Sequence, residues 1–188
     1  ADGNVALVNY TINFSFGSGV AVPGAGFVLN NEMDDFVAKP GVANAFGLVG
    51  GEANAVAAGK RPLSSMSPIM VFKDGDLRLA SGSPGGSVII TSVLQLIVNV
   101  IDHEMNIAEA TLAPRMHHQW YPDRITLESG FSPDTVRLLE AKGHTVTQTP
   151  NKMGSLQTVG TRDGMFLGAS DTRRPNAAAI APGNSQTQ

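Results

Sequence analysis

The 188-residue sequence contains no cysteine, so it has no disulfide, no thiol nucleophile and no cysteine-ligated zinc site. Charge is also scarce: 15% of the residues are charged and the formal net charge is -3, which argues against nucleic acid as a partner. One tryptophan and two tyrosines do not make an aromatic stacking surface. The longest apolar run, Val88 to Ile101, is interrupted by polar residues and is too short to span a membrane.

The sequence does contain enough apolar residues for a buried core. Hydrophobic residues make up 42% of the chain, and the length suits a single domain over residues 1–188. Near the start, Asp2-Gly3 is a favoured hairpin turn, but only its second strand, Val5 to Phe14, is present. This pattern predicts a fragment or a product of proteolytic cleavage, with a trimmed terminus as the alternative.

Local patterns predict both strands and helices. Alternating residues predict a strand over Val8 to Phe14 with one packed and one polar face. A first helix is predicted over 87–102, sandwiched between layers. A second, shorter helix is predicted to begin at a cap on Asn106, and a third covers 132–143. Further strands are predicted at 27–29, 69–73, 76–80, 145–149, 156–161 and 165–169, with turns at Asp74-Gly75 and Asp163-Gly164. This order predicts a mixed α/β (α+β) fold with helices against one side of the sheets.

Two segments have the composition of loops. Residues 40–51 are rich in Gly, Ala and Asn, which predicts a long loop that can act as a lid. Residues 174–188 show no periodicity, and we expect a loose tail.

A serine-rich block lies between two prolines, Pro62 and Pro68, which stiffen its backbone. Ser64 or Ser65 could be a nucleophile, or both could donate hydrogen bonds to a carboxylate. No residue is a convincing base for a serine nucleophile, because the histidines lack the necessary partners and are better explained as packing or surface residues. These are His103, His117, His118 and His144.

Three other groups of residues could bind a substrate. Gly85 and Gly86 precede a helix and could offer N–H groups to an oxyanion, although a plain strand-to-helix turn is equally plausible and the lysine of a phosphate loop is missing. Glu32 and Asp35 could hold an ammonium, with a calcium site or a solvated turn as alternatives. Thr11 and Asn13 share one strand face, which ordinary cross-strand hydrogen bonding also explains.

Four segments, in the same order and over nearly the whole chain, resemble the small subunit of the γ-glutamyltranspeptidase family: 10–13, 29–36, 62–68 and 82–86. The resemblance implies an N-terminal-nucleophile hydrolase, an αββα sandwich of which this chain is the C-terminal part. In this family the precursor cuts itself, and the small subunit begins with a catalytic threonine that this chain does not show. The segment missing before Asp2-Gly3 is where that threonine belongs.

The resemblance also implies a reaction and its partners. The expected activity is γ-glutamyl transfer and hydrolysis through a γ-glutamyl-enzyme, with glutathione or glutamine as donor and water, an amino acid or a dipeptide as acceptor. A heterodimer with the large subunit of the same precursor is expected, in the periplasm or secreted, with no metal and no cofactor.

By the same resemblance, the N–H groups of Gly85 and Gly86 form the oxyanion hole. Ser64 and Ser65 bind the α-carboxylate of the glutamyl group, together with an arginine of the large subunit.

Glu32 and Asp35 are implied to bind the α-ammonium. Many bacterial members have glutamine at the position of Glu32. Thr11 is implied to hydrogen-bond the nucleophile, and Asn13 to line the pocket. Phe46 stands on the lid where bacterial members often carry a tyrosine that reaches over the pocket, so weaker lid closure is expected.

Two alternatives remain. A glutaryl or cephalosporin acylase of the same superfamily acts on substrates without the α-ammonium, which leaves Glu32 and Asp35 without a purpose. A non-enzymatic module that binds amino acids or peptides is the alternative from a different class.

Overall fold

The computed structural model describes residues 3–150 and 152–180. Three α-helices lie at α1 (Val88–Ile101), α2 (Ile107–Leu112) and α3 (Pro133–Ala141), and short 3-10 helices at Glu32–Asp35 and Glu52–Asn54. The strands are β1 (Ile69–Lys73), β2 (Asp76–Gly82), β3 (Met116–His117), β4 (Ile125–Glu128), β5 (Val146–Thr149), β6 (Gln157–Arg162) and β7 (Met165–Ser170). In the described part of the chain, no helix has the length and apolar character needed to cross a bilayer.

The larger sheet is antiparallel, with the strand order β1-β2-β6-β7. Both of its predicted hairpins are confirmed. Asp74 and Gly75 have φ of 54° and 89°, and Asp163 and Gly164 have φ of 52° and 75°. Positive φ at both central residues is typical of a tight turn that suits the twist of paired strands.

The smaller sheet has the order β3-β4-β5, with β3 antiparallel and β5 parallel to β4. A parallel pair needs a crossover, and α3 provides it between β4 and β5. Neither β3 nor β4 was predicted. β3 has only two residues, too few for a pattern, whereas the four residues of β4 do alternate between apolar and polar.

Helix α1 has the predicted position, but it is covered on one side only. Ile89, Val93 and Leu96 pack into the core with Leu79 of β2 and Leu156. On its other side Ile90 is 53% and Leu94 is 56% exposed. The expectation that α1 is sandwiched is therefore wrong for the described chain, in which no layer covers this second face.

The other two helices begin at the predicted caps. Asn106 Oδ1 accepts hydrogen bonds from the N–H groups of Ala108 and Glu109 at 3.0 and 2.9 Å. Ser132 Oγ accepts one from Asp134 N at 3.2 Å. These bonds satisfy N–H groups that have no partner inside the helix.

The predicted strand over Val8 to Phe14 does not form. No β-ladder pairs it within the described residues, and Tyr10 is 86% exposed. An alternating pattern makes a strand only where a neighbour accepts its backbone hydrogen bonds, and none is present here. The predicted strand at 27–29 is likewise reduced to one bridge, between Ala21 and Val28.

The two segments predicted as loops are irregular where they are described, and their roles as a lid and a loose tail stay predictions. Residues 40–51 contain no helix or strand beyond a bridge between Ala43 and Val49. Residues 174–180 are also irregular, whereas 181–188 lie outside the described residues, as does Asp2 of the predicted N-terminal turn.

Candidate active site

One open cavity of about 540 Å³ gathers nearly all the residues that the sequence singles out. It lies between the N-terminal segment, the serine block and the turn from β2 to α1. The predicted residues that line it are Thr11, Asn13, Asp35, Phe46, Ser64, Ser65, Gly85 and Gly86. Glu32 does not line the cavity, but it contacts Asp35, which does.

The turn between β2 and α1 presents two free N–H groups to this cavity. Gly85 and Gly86 have φ of 138° and 59°, which favour glycine. Their carbonyl groups accept hydrogen bonds from Val88 and Ile89 at the start of α1. Within the described residues their own N–H groups donate to no acceptor, so the turn has two unused donors beside a space that a ligand can enter.

Close packing holds this turn in place. Ser83 Oγ donates to Pro84 O at 2.8 Å and accepts from Ser155 N at 2.9 Å. Gly154 packs so tightly here that a Cβ on it would lie 2.5 Å from Ser83 Oγ. The two free N–H groups are therefore fixed in direction by their surroundings.

Asp35 lies at another wall of the cavity and belongs to a cluster of carboxylates with Glu32 and Asp34. The pKa of Asp35 is raised to about 6, most of all by burial and then by the negative charge of Glu32 and a hydrogen bond with it. Glu32 Oε1 and Asp34 Oδ2 are buried without a hydrogen-bond partner among the described residues. A cation placed here would relieve both the repulsion and the unpaired oxygens.

No three histidine or carboxylate side chains of the described residues are arranged to hold a metal ion. The unpaired oxygens of Glu32 and Asp34 make the acidic cluster a candidate site for an organic cation.

The serine block is tied to the acidic cluster by Asn54. Its Nδ2 donates to Asp35 O at 2.7 Å, and its Oδ1 accepts from Leu63 N at 3.0 Å. Ser64 and Ser65 therefore lie at a set distance from Asp35. Sequence reasoning missed Asn54, because nothing in its local pattern distinguishes it from the other asparagines of this loop-rich region.

The N-terminal segment is fixed by short polar contacts. Asn13 N donates to Thr11 Oγ1 at 2.7 Å, and Asn13 Nδ2 donates to Asn31 O at 3.0 Å. The amide of Asn13 is thus bonded to the residue before Glu32.

The ring of Phe46, on the loop 40–51, covers the glycine turn. A Cβ on Gly86 would lie 2.5 Å from Phe46 Cδ1, and the rings of Phe46 and Phe14 meet edge to face at 5.5 Å. Gln119 holds the next residue of the lid, because its Nε2 donates to Gly47 O at 3.0 Å and its Oε1 accepts from Ser87 Oγ at 2.7 Å. Sequence reasoning missed Gln119 as well.

Residues 1–181 match the family model described as gamma-glutamyltranspeptidase. The chain belongs to the γ-glutamyltranspeptidase family. It is 59% identical over 173 residues to the glutathione hydrolase proenzyme of Escherichia coli K12, covering 92% of this chain and 30% of that protein. The chain thus spans about a third or less of the length of three curated relatives that it matches.

Solved structures of the family confirm the fold. The γ-glutamyltranspeptidase T380A mutant of Helicobacter pylori is similar with a TM-score of 0.88 and 51% identity, covering 92% of this chain and 95% of that chain. The enzyme of Pseudomonas nitroreducens complexed with L-DON gives a TM-score of 0.89 and 45% identity, covering 96% and 95%. The chain therefore has the α+β fold of these N-terminal-nucleophile hydrolases.

Behind the glycine turn, this member of the γ-glutamyltranspeptidase family has a buried ion-pair network. Arg115 pairs with Asp171 at 2.6 Å, and Arg173 pairs with Glu128 at 2.5 Å and with Asp171 at 3.2 Å. Burial opposes the ionisation of both carboxylates, but hydrogen bonds from the arginines and from backbone N–H groups outweigh it and lower their pKa values.

The same network fixes the backbone that packs on the turn. Met153 N donates to Glu128 Oε1 at 2.6 Å, and Met153 O accepts from Arg115 Nη1 at 2.5 Å. Gly154, the next residue, contacts the turn. The network joins Arg115 and Glu128 to Asp171 and Arg173, which lie far along the chain from them, so no local motif signalled it.

Proposed function

We propose that this chain is the small subunit of a γ-glutamyltransferase and glutathione hydrolase. The observation that carries the proposal is the arrangement of one cavity: it combines two free N–H donors, a pair of hydroxyls and the carboxylate of Asp35. Behind Asp35 lie the unpaired carboxylate oxygens of Glu32 and Asp34. A γ-glutamyl group offers the three complementary features, namely a carbonyl that becomes an oxyanion, an α-carboxylate and an α-ammonium. Each of these meets a group of suitable chemistry.

The reaction follows from N-terminal threonine chemistry. A threonine that precedes Ala1 in the precursor attacks the γ-glutamyl amide, and its own α-amine takes the hydroxyl proton. The N–H groups of Gly85 and Gly86 stabilise the oxyanion, and the leaving amine departs with that proton. Water or an amine then attacks the resulting ester and releases the threonine. Loss of one oxyanion donor typically costs about 3–4 kcal/mol of barrier.

Recognition of the glutamyl head group is assigned to two sets of residues. Ser64 and Ser65 donate to the α-carboxylate, joined by an arginine of the large subunit. Asp35, supported by Glu32, accepts from the α-ammonium. Thr11 holds the nucleophile's hydroxyl and Asn13 lines the pocket, and both lie on the wall that the N-terminal segment forms.

A large subunit from the same precursor is the proposed partner. Its support is the apolar surface that the described chain leaves uncovered on α1, at Ile90, Leu94 and Ile101. Contiguous apolar surface of this kind marks a protein interface. A periplasmic or secreted location is part of the proposal and rests on the family resemblance alone.

The experiment compares paired substrates on the processed two-chain enzyme. γ-Glutamyl and glutaryl p-nitroanilide differ only in the α-ammonium, so a γ-glutamyl enzyme should prefer the former by about 10-fold to 100-fold in kcat/KM. Equal turnover of the two would favour an acylase. Binding of glutamate without turnover of either, measured by calorimetry, would favour a non-enzymatic module.

A further inference from the structure

A second cavity, of about 320 Å³, adjoins the first one. Gly85 and Arg174 line both cavities, so the second begins at the turn whose N–H groups we assign to the oxyanion. Lys152, Arg173 and His117 also line it. The mechanism above gives this space no role.

The second cavity has a positive lining. No carboxylate residue lines it, whereas Lys152, Arg173 and Arg174 do. The charge of Arg173 is balanced by Glu128 and Asp171. Lys152 and Arg174 form no ion pair within the described residues, so two positive charges remain uncompensated. Such a field attracts an anion into the cavity.

The buried network holds the backbone beside both cations. Lys152 precedes Met153, whose N–H and carbonyl are bound by Glu128 and Arg115. Arg174 follows Arg173, whose guanidinium is held by two carboxylates. The two side chains are exposed and can move, but their points of attachment are fixed, which lowers the entropy lost when a ligand binds.

We propose that Lys152 and Arg174 bind the terminal carboxylate of the peptide on the amine side of the reaction. This inference rests on the proposed function. The departing amine of acylation and the incoming amine of transfer occupy the same place, because attack of an amine on the acyl-enzyme is the reverse of acylation. That place lies next to the acyl carbon at Gly85 and Gly86, where the second cavity begins.

The ligand is thus a short peptide with a free amino end and a carboxylate at its far end. In the transfer step its nitrogen forms the new amide bond to the glutamyl carbon, the ester bond to threonine breaks, and the amine proton passes to the threonine oxygen. The cysteinylglycine part of glutathione and a dipeptide acceptor both have this form.

The test measures transfer by the processed two-chain enzyme with γ-glutamyl p-nitroanilide as donor. Glycylglycine and glycylglycinamide are the acceptors, since they differ in the terminal carboxylate. We expect kcat/KM for the acid acceptor to exceed that for the amide. Lys152→Ala and Arg174→Ala should each lower the acid-to-amide ratio by about twofold to fivefold, the contribution of one exposed ion pair. Lys152→Glu should lower the ratio further.

Hydrolysis tests the carboxylate of the leaving group separately from that of the acceptor peptide. Glutathione carries it on the leaving group and γ-glutamyl p-nitroanilide does not, so the variants should raise KM for glutathione relative to the anilide. Lys73→Ala, an exposed lysine at the end of β1 and outside both cavities, is the control and should leave both ratios unchanged.

Acid-to-amide ratios that stay at the wild-type value in Lys152→Ala, Arg174→Ala and Lys152→Glu would overturn the inference while leaving the proposed function intact. A wild-type enzyme that transfers the glutamyl group to neither acceptor and hydrolyses neither donor would overturn the proposed function and this inference together.

Discussion

The acidic cluster allows a sharp prediction on pH, because Asp35 must be ionised to bind an ammonium. Its pKa of about 6 lies within the usable range of an enzyme assay. We expect kcat/KM for a γ-glutamyl anilide to fall as the pH drops below about 6 in the free enzyme. Asp35→Asn should lower kcat/KM by about 10-fold to 100-fold at neutral pH, the value of a hydrogen bond to a charged group, and should remove this acid limb.

Glu32→Gln tests the cause of the shift. Burial is the largest cause of the raised pKa of Asp35, followed by the charge of Glu32 and a hydrogen bond with it. The variant removes the charge of Glu32 and changes its hydrogen bond, but it leaves the burial of Asp35. The acid limb should therefore move to lower pH without reaching the ordinary pKa of aspartate.

The same pair predicts a change in stability with the opposite sign to that of a salt-bridged carboxylate. A raised pKa in the folded state means that the contribution to stability is present at low pH and is lost as the pH rises through about 6. The Tm of Glu32→Gln should therefore exceed the Tm of the wild type, and by more at neutral than at acidic pH. The coupling between the two carboxylates would be refuted if the acid limb of Glu32→Gln lay at the wild-type pH and its Tm differed from that of the wild type equally at neutral and acidic pH.

Four further predictions concern other parts of the site and the buried ion-pair network behind it. Ser64→Ala with Ser65→Ala should raise KM for γ-glutamyl substrates by about 10-fold or more, since two donors to a carboxylate are lost, and steady-state kinetics with unaltered KM would refute the carboxylate role. Phe46→Tyr should strengthen lid closure and change the hydrolysis-to-transfer ratio, measured by product analysis; an unchanged ratio would contradict it. Glu128→Gln should lower the free energy of unfolding by about 3–5 kcal/mol, because it leaves buried Arg173 with one partner fewer. Wild-type stability should also fall with pH below the ordinary carboxylate range, since the folded-state pKa of Glu128 is lowered; denaturant unfolding at several pH values checks both.

The parts of the fold that local chemistry determines could be predicted from the sequence. The Asp74-Gly75 and Asp163-Gly164 turns have side chains suited to positive φ, and Asn106 and Ser132 begin helices through their own side-chain oxygens. Such features act within four residues, so a short window contains them.

The parts of the fold and of the site that depend on distant partners could not be predicted from the sequence. The alternation from Val8 to Phe14 lacks a neighbouring strand among the described residues, and the two residues of β3 are recognised as a strand only through their pairing with β4. Asn54 and Gln119 gain their roles by reaching across the fold to Asp35 and Gly47, more than ten residues away in each case.

The central claim is that the reacting hydroxyl belongs to a threonine before Ala1, while Ser64 and Ser65 only bind substrate. The most direct measurement is N-terminal sequencing and intact mass of the small subunit of the native enzyme, before and after rapid mixing with a γ-glutamyl donor. We predict that the subunit begins with threonine upstream of Ala1 and gains the mass of one glutamyl group on that residue. A glutamyl adduct on Ser64 or Ser65, or a subunit that begins with another residue, would contradict the account.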